Sequence, residues 1–395
     1  MAVDDSGKSF IKRCLQRKLW LVVCLAIISI PAVAKTTERD VFFAGVSFLG
    51  SYAMVEANYP AGLKLNNPSQ VGRDNTLDNR FLTYLQAQPP VHYQLNTGLA
   101  NLRRSESVVV SLAIESEKIS QEVIGRNRKI IFEVGAQLLF MDFSNMTLLA
   151  NYPIELAINH IVPADMPLQD DTFNGMEALY FGQDGASGLL QKAAQLAQQV
   201  QPFAQQRIRF QVASVSTHEQ AKAWFPPTLT EAQFNQHIGQ TFTAQLSSQY
   251  GLAVLPFVKG YAVGNKMAGR FANGDVYNLT LPEPDYEFVI LVRDFKKVEQ
   301  DSNYLFGARV GLKFSHRSTG RDYINGFYHL AVPKLGSENI SEADDWSPSE
   351  DAVESLLSQW IQQLSSPSEA WHKIHASNKA SFNEFNQKKE LFNGE

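Results

Sequence analysis

The chain repeats itself, and this constrains its fold more than any other feature it carries. Residues 129 to 158, KIIFEVGAQLLFMDFSNMTLLANYPIELAI, align with residues 303 to 332, NYLFGARVGLKFSHRSTGRDYINGFYHLAV, at a constant offset of 174. In that register Phe140 meets Phe314, Ser144 meets Ser318, Asn151 meets Asn325, Leu156 meets Leu330, Ala157 meets Ala331 and Ile158 meets Val332. Each copy holds two alternating apolar runs joined by a short polar turn, the pattern of a β-hairpin with one buried face. Neither copy brings an obvious catalytic group.

The flanking segments extend the duplication. DVFFAGVSFLG from Asp40 reads as a strand, and residues 75 to 88 as a helix with Leu77, Phe81 and Leu85 on one face, stopped by Pro89-Pro90. VHYQL, residues 106 to 119 and the hairpin 129 to 158 complete a sheet. A Pro- and Asp-containing connection, 159 to 185, leads to a helix in SGLLQKAAQLAQQV. The second half runs the same order: the strand RIRFQVASVS, then a helix opened by the capping box Thr230-Glu231-Ala232-Gln233 and closed at Gly251. LAVLPF matches VHYQL, 262 to 274 reads as a small helix, and Tyr286 to Val298 and the hairpin 303 to 332 as strands. The helix DAVESLLSQWIQQL follows the acidic connection SENISEADDWSPSE, and its Leu356-Leu357 lies 167 past Leu189-Leu190. A helix between the first two strands calls for parallel neighbours there, whereas the hairpin is antiparallel. The expected fold class is α+β, with two tandem similar domains, each a mixed sheet with a long antiparallel hairpin and packed helices.

Residues 1 to 34 read as an export signal: a basic region (KRCLQRK), an apolar run from Leu19 to Ile30, Pro31 and the small-residue site Ala32-Val33-Ala34 before Lys35. The apolar run is short of the roughly 20 residues that cross a bilayer, so cleavage between Ala34 and Lys35 is expected. The domain boundaries follow as signal peptide 1–34, first repeat 35–203, second repeat 204–366 and a polar tail 367–395. Both cysteines, Cys14 and Cys24, fall in the signal, which leaves the remainder without disulfides or thiol chemistry. The formal charge of −5 becomes −8 when residues 1 to 34 are removed, since five basic and two acidic residues leave with them. An acidic chain with no basic block is a poor match for a nucleic-acid backbone.

The strings LLFMDFSNMTLL and GLKFSHRSTGRDY resemble the strand, turn and strand unit of periplasmic domains in Gram-negative envelope machines: the TolB amino-terminal-like domain, the periplasmic domain of the curli secretion channel, outer-membrane activators of peptidoglycan synthases, and flagellar accessory proteins. The order of elements over residues 40 to 364 is similar too. Asp142 stands where those units carry an Asp before the turn, whereas the second copy has Ser315-His316, and Gly320 has Met146 opposite it. What the resemblance implies is a scaffold or docking module; a shared fold does not choose among them.

The chemical motifs point the same way. Gly45-Val46-Ser47-Phe48-Leu49-Gly50 approaches a nucleophile elbow, but its second glycine is one place too far for G-x-S-x-G, so a strand end is expected. Glu369, His372 and His375 would share one helix face in the tail, and His160 stands near Asp165, Asp170 and Asp171, but neither group shows a complete ligand set. Nucleotide-binding fingerprints are absent from the sequence. The expectation is therefore a non-catalytic periplasmic scaffold or docking component of an envelope assembly in secretion, flagellar or cell-wall machinery, with protein partners, no cofactor and no metal. The alternatives are a binding protein holding a small molecule or glycan between its domains, and a hydrolase with a carboxylate site. Sheet edges and acidic connections are the candidate contacts.

Overall fold

The computed structural model describes residues 39–392 except 50–54, 56–57, 98–107, 125, 166–170, 204–207, 228, 253, 258–265, 272–275, 301–302, 336–344 and 379–380. The expected signal and its cleavage pair, Ala34 and Lys35, lie outside the described residues.

The first repeat opens with β1 (Asp40–Leu49), followed by the short helices α1 (Pro60–Leu65) and α2 (Pro68–Val71) and by α3 (Leu77–Ala87). Thr76 starts α3 by accepting the Asn79 N–H at 3.3 Å, and Leu77, Phe81 and Leu85 are its buried stripe. β2 (Gln94–Asn96), β3 (Val108–Ile124), β4 (Asn127–Asp142) and β5 (Thr147–Pro163) follow. The segment expected to be a plain connection instead continues β5 to Pro163 and then forms α4 (Asp171–Phe181), β6 (Gly182–Gln183) and β7 (Ala186–Ser187) before α5 (Leu189–Gln199). β1 runs parallel to β2 and β3, and β3, β4 and β5 are antiparallel in sequence order. Phe81, Phe132, Phe140, Leu189 and Leu190 belong to the core between this sheet and its helices.

The second repeat reproduces this plan with β8 (Phe210–Thr217), α6 (Glu219–Lys222), α7 (Glu231–Tyr250), β9 (Lys266–Phe271), β10 (Val276–Thr280), β11 (Tyr286–Gln300), β12 (Asn303–His316), β13 (Arg321–Leu335) and α8 (Trp346–Ser365). The capping box at Thr230 and Gln233 forms, and Gly251 closes α7 at φ +64°. Leu255, in the segment expected to match β2, makes a single parallel bridge to Gln211 of β8. The fold is thus α+β, two tandem similar units, each a mixed sheet with a long hairpin and packed helices.

The likeness extends to the irregularities. Pairing slips after Phe140 in β4 and after Phe314 in β12. It slips around Glu115 between β3 and β4, and around Arg293 between β11 and β12. The opening strands slip at Phe43 to Val46 and, correspondingly, at Val212 to Ser214. Bulges are specific local features, so three shared ones give the two sheets one common register. In the hairpin turns Met146 and Gly320, 174 apart, both adopt left-handed φ, at 50° and 62°.

A further expectation fails. Residues 262 to 274, read as a helix, contain β9 in their described part. β9 pairs antiparallel with β10 and with the end of β1 through Ser47, Phe48 and Leu49, and Thr280 of β10 bridges Thr147 of β5. Long-range partners decide strand over helix here. This hairpin, from the second half by sequence, joins the first sheet and closes β1, β3, β4, β5, β10 and β9 into a ring. Leu49, Val109, Ala113, Leu139, Met141 and Leu148 meet Tyr277, Leu279 and Leu281 in a separate core on that face. The polar tail forms α9 (Glu369–His375) and α10 (Ser381–Asn386), and its Phe385 and Phe392 complete the second core.

Candidate functional site

Several groups with perturbed chemistry converge where the two repeats meet. α7 has two jobs: Phe234, Ile238, Phe242 and Leu246 face the second core, while Thr241 on another side donates to Glu155 Oε1 of β5 at 2.9 Å. α8 brings Glu350 and Glu354 one turn apart to the same seam. Lys118 of β3 contacts Glu350 Oε1 at 2.9 Å and Glu133 Oε2 at 3.4 Å, and His237 of α7 contacts Glu354 Oε1 at 2.8 Å. The ions thus bridge strands of the first repeat to helices of the second.

Their protonation follows from this crowding. Burial and the neighbouring Lys118 push the His237 imidazolium down, but Glu354 and Glu350 outweigh both and carry it up to about 9. Glu354, despite burial, is held low by its bond to His237. Glu350 is raised, because burial outweighs the attraction of Lys118 and His237. Glu115, the bulge residue of β3, is buried and raised to about 7 by desolvation, against hydrogen bonds from Gln137 and Gln240. Removing one partner from such a network leaves a buried charge uncompensated.

Glu133, His237 and Glu354 offer ligand atoms within 4.8 Å of one another. The Lys118 ammonium stands 3.4 Å from His237 Nε2 as well as 3.4 Å from Glu133 Oε2, so it repels an incoming metal ion. The cationic charge in this cluster comes from the chain itself.

Two clefts flank the seam. One, of about 1140 Å³, is lined by β5 from Leu149 to Ala157, by Lys192, Gln195 and Gln199 of α5, and by Thr241, Ala244, Gln245 and Ser248 of α7. The other, of about 930 Å³, takes Glu115, Lys118 and His237 with Gln121, Gln236 and the exposed Ile119.

The residues singled out from sequence are placed elsewhere. Ser47 lies buried in β1, its Oγ 3.0 Å from Ser111 Oγ and 2.9 Å from the Tyr277 hydroxyl. Gly45 before it has φ +85° within the bulge, where Asp78 accepts the Val46 N–H at 2.5 Å. His372 of α9 is buried, 3.0 Å from Ser381 Oγ, and lowered to about 4 by burial, while His375 Nδ1 donates to the His329 carbonyl at 2.9 Å. α9 therefore spends both imidazoles on packing the tail. His160 stacks edge-on to Phe132, and Asp165 is exposed; Asp170 and the Asp171 side chain lie outside what is described. Sequence reading missed Lys118, His237, Glu350 and Glu354. The available signal was the four-residue spacing of Glu350 and Glu354 on one helix, with His237 beside the apolar stripe of another.

No family model and no curated protein matches the sequence. Among solved structures the chain is similar to a Xanthomonas campestris protein of the DUF330 family (14% identity, 39% of this chain and 81% of that one, TM-score 0.25). It is similar also to a hypothetical protein of Chlamydia trachomatis (12%, 40% and 94%, TM-score 0.25) and to a minor lipoprotein of Acinetobacter baumannii (13%, 30% and 75%, TM-score 0.19). At these scores the likeness assigns no function. Among the described residues no helix is long and apolar enough to cross a membrane.

Proposed function

We propose that this chain is an exported, non-catalytic docking component of a bacterial envelope assembly, released into the periplasm by cleavage between Ala34 and Lys35. One observation carries the docking role. β5 pairs with β4 along its whole length, yet on its other side the single described strand contact is Thr147 with Thr280. A long strand with an open edge exposes backbone donors and acceptors that an incoming strand can take. Ion pairs across the seam suit this role, because they hold the edge and the helices beside it in one arrangement.

The test is photo-crosslinking in cells, with a photoreactive residue at Leu149 or Ala157 beside the open edge and a control at Val298, which is 41% exposed in the second repeat. A discrete partner captured at the edge and not at Val298 is the expected result. Equal capture at all three positions, or none at the edge, would end this reading.

The smaller cleft favours a second reading, a neutral polar ligand such as a glycan held between the repeats, because Ile119 is 48% exposed there beside Gln121 and Gln236. A rise in melting temperature with a glycan panel, lost in Gln236→Ala, would support it.

A further inference from the structure

The larger cleft has a geometry that specifies its occupant. Leu149, Ala150, Tyr152, Pro153, Ile154, Glu155 and Ala157 all line it. Successive residues of a strand point to opposite faces of the sheet. A cleft touched by both sets therefore includes the edge of β5, and Glu133 of β4, paired with Ala157, carries it over one face as well. Its walls agree: Lys192, Gln195, Leu196 and Gln199 recur at helical spacing on α5, and Thr241, Ala244, Gln245 and Ser248 do so on α7. α5 packs on the core side of the sheet through Leu189, Leu190, Ala193 and Ala194, while α7 reaches β5 through Thr241 and Glu155. The result is a slot with a strand edge at its base and one helix on each side.

Charge selects among extended segments. Among the described residues, Glu133, Glu155 and Glu354 line the slot against one cation, Lys192. Glu133 and Glu354 share Lys118 and His237, which lie behind them. Glu155 has, among the described residues, a hydrogen bond from Thr241 and no ion pair. Pro153 supplies no N–H, so donors come from the residues around it, and a proline at an edge also hinders pairing with a second copy of the same strand.

We infer that the slot receives an extended, lysine- or arginine-bearing segment of a partner protein, added to β5 as a further strand with a basic side chain against Glu155. This deepens the docking role and rests on it. Backbone bonds along the edge supply the affinity, and the acidic lining supplies the preference for positive charge.

The experiment titrates the full chain, followed by fluorescence anisotropy, with two labelled synthetic peptides, one alternating lysine with threonine and one alternating glutamate with threonine. Hydrogen exchange over residues 149–157 is read in parallel. The expected result is salt-sensitive binding of the lysine peptide alone, slower exchange along β5, and binding about tenfold weaker in Glu155→Gln, the loss that removing one charge-assisted hydrogen bond produces. Thr241→Val tests the wall without changing charge and should alter affinity less than Glu155→Gln. Equal binding of both peptides, binding without protection of β5, or self-association of the chain through this edge would each overturn the inference. If neither peptide binds while Leu149 and Ala157 still capture a partner in cells, the basic class is wrong and docking stands. Absence of capture at both removes the docking reading itself.

Discussion

The outer faces of the two sheets begin from one backbone and end with opposite chemistry. In the first sheet Val109, Leu139, Met141 and Leu148 are buried beneath β10. The shared register places Glu287, Lys313, Ser315 and Asp322 at the matching positions of the second. There Lys313 pairs with Asp322 at 2.8 Å and Glu287 with Arg317 at 2.6 Å, at the surface. The bulge shared by the two sheets likewise carries the buried Glu115 in one and the half-buried Arg293 in the other. Strand pairing is indifferent to these substitutions; what they change is whether a second layer can sit on the sheet. Two sheets of like register thus differ in their outer side chains and in whether a hairpin covers them.

The strongest way to break this comparison is to exchange the faces. Leu139→Lys puts an unpaired charge under the hairpin and should cost about 4 kcal/mol in urea unfolding. Lys313→Leu, on the uncovered face, should stay within about 0.5 kcal/mol. Similar costs for the two would mean that β9 and β10 do not seal the first sheet.

The bulge residue gives the next effect, through pH. Glu115 has a folded value of about 7 against an ordinary 4.5, so the folded state favours its protonated form. Its contribution is undiminished below pH 4.5 and is lost as pH rises to about 7, by roughly 3 kcal/mol in all. His237, raised to about 9 from 6.5, stabilises fully below pH 6.5 and loses that contribution as pH rises to 9. Melting temperature should therefore fall across both windows. Glu115→Gln should flatten the lower window and leave the upper one; an unchanged slope between pH 4.5 and 7 would remove Glu115 from the seam's titration.

Smaller effects sharpen the picture. Tyr277→Phe removes the hydroxyl that meets Ser47 and should cost about 1 kcal/mol, since Ser47 keeps Ser111. Met146→Gly relieves a left-handed residue where the second repeat already has Gly320, and should stabilise by about 0.5 kcal/mol. A loss there would mean that the Met146 side chain contributes more by packing than its backbone costs.

The hairpins and the long helices were legible because alternation and caps are local signals, and the likeness of the two halves because a constant offset of 174 is visible in the sequence itself. The left-handed turn was legible only in part: glycine announces it at Gly320, whereas Met146 adopts it under the constraint of its hairpin. β9 was not legible, since its strand state depends on β1, more than 200 residues earlier, and its sequence KMAGRF has no clear alternation of its own. The seam stayed hidden for a related reason. Lys118, His237 and Glu350 are unremarkable charged residues until two helices of one repeat are laid against strands of the other. The edge of β5 was anticipated as a class of contact, but the helices that make it a slot come from both repeats.

The crossing hairpin also sets an order of events. A chain synthesised from its amino terminus presents β1, β3, β4 and β5 long before residue 280 is made. Until then, Leu139, Met141 and Leu148 have no lid. The first half must wait, partly open to solvent and to any waiting chaperone, for a piece of the second. The outer core of the first sheet is thereby completed only once the second half is present.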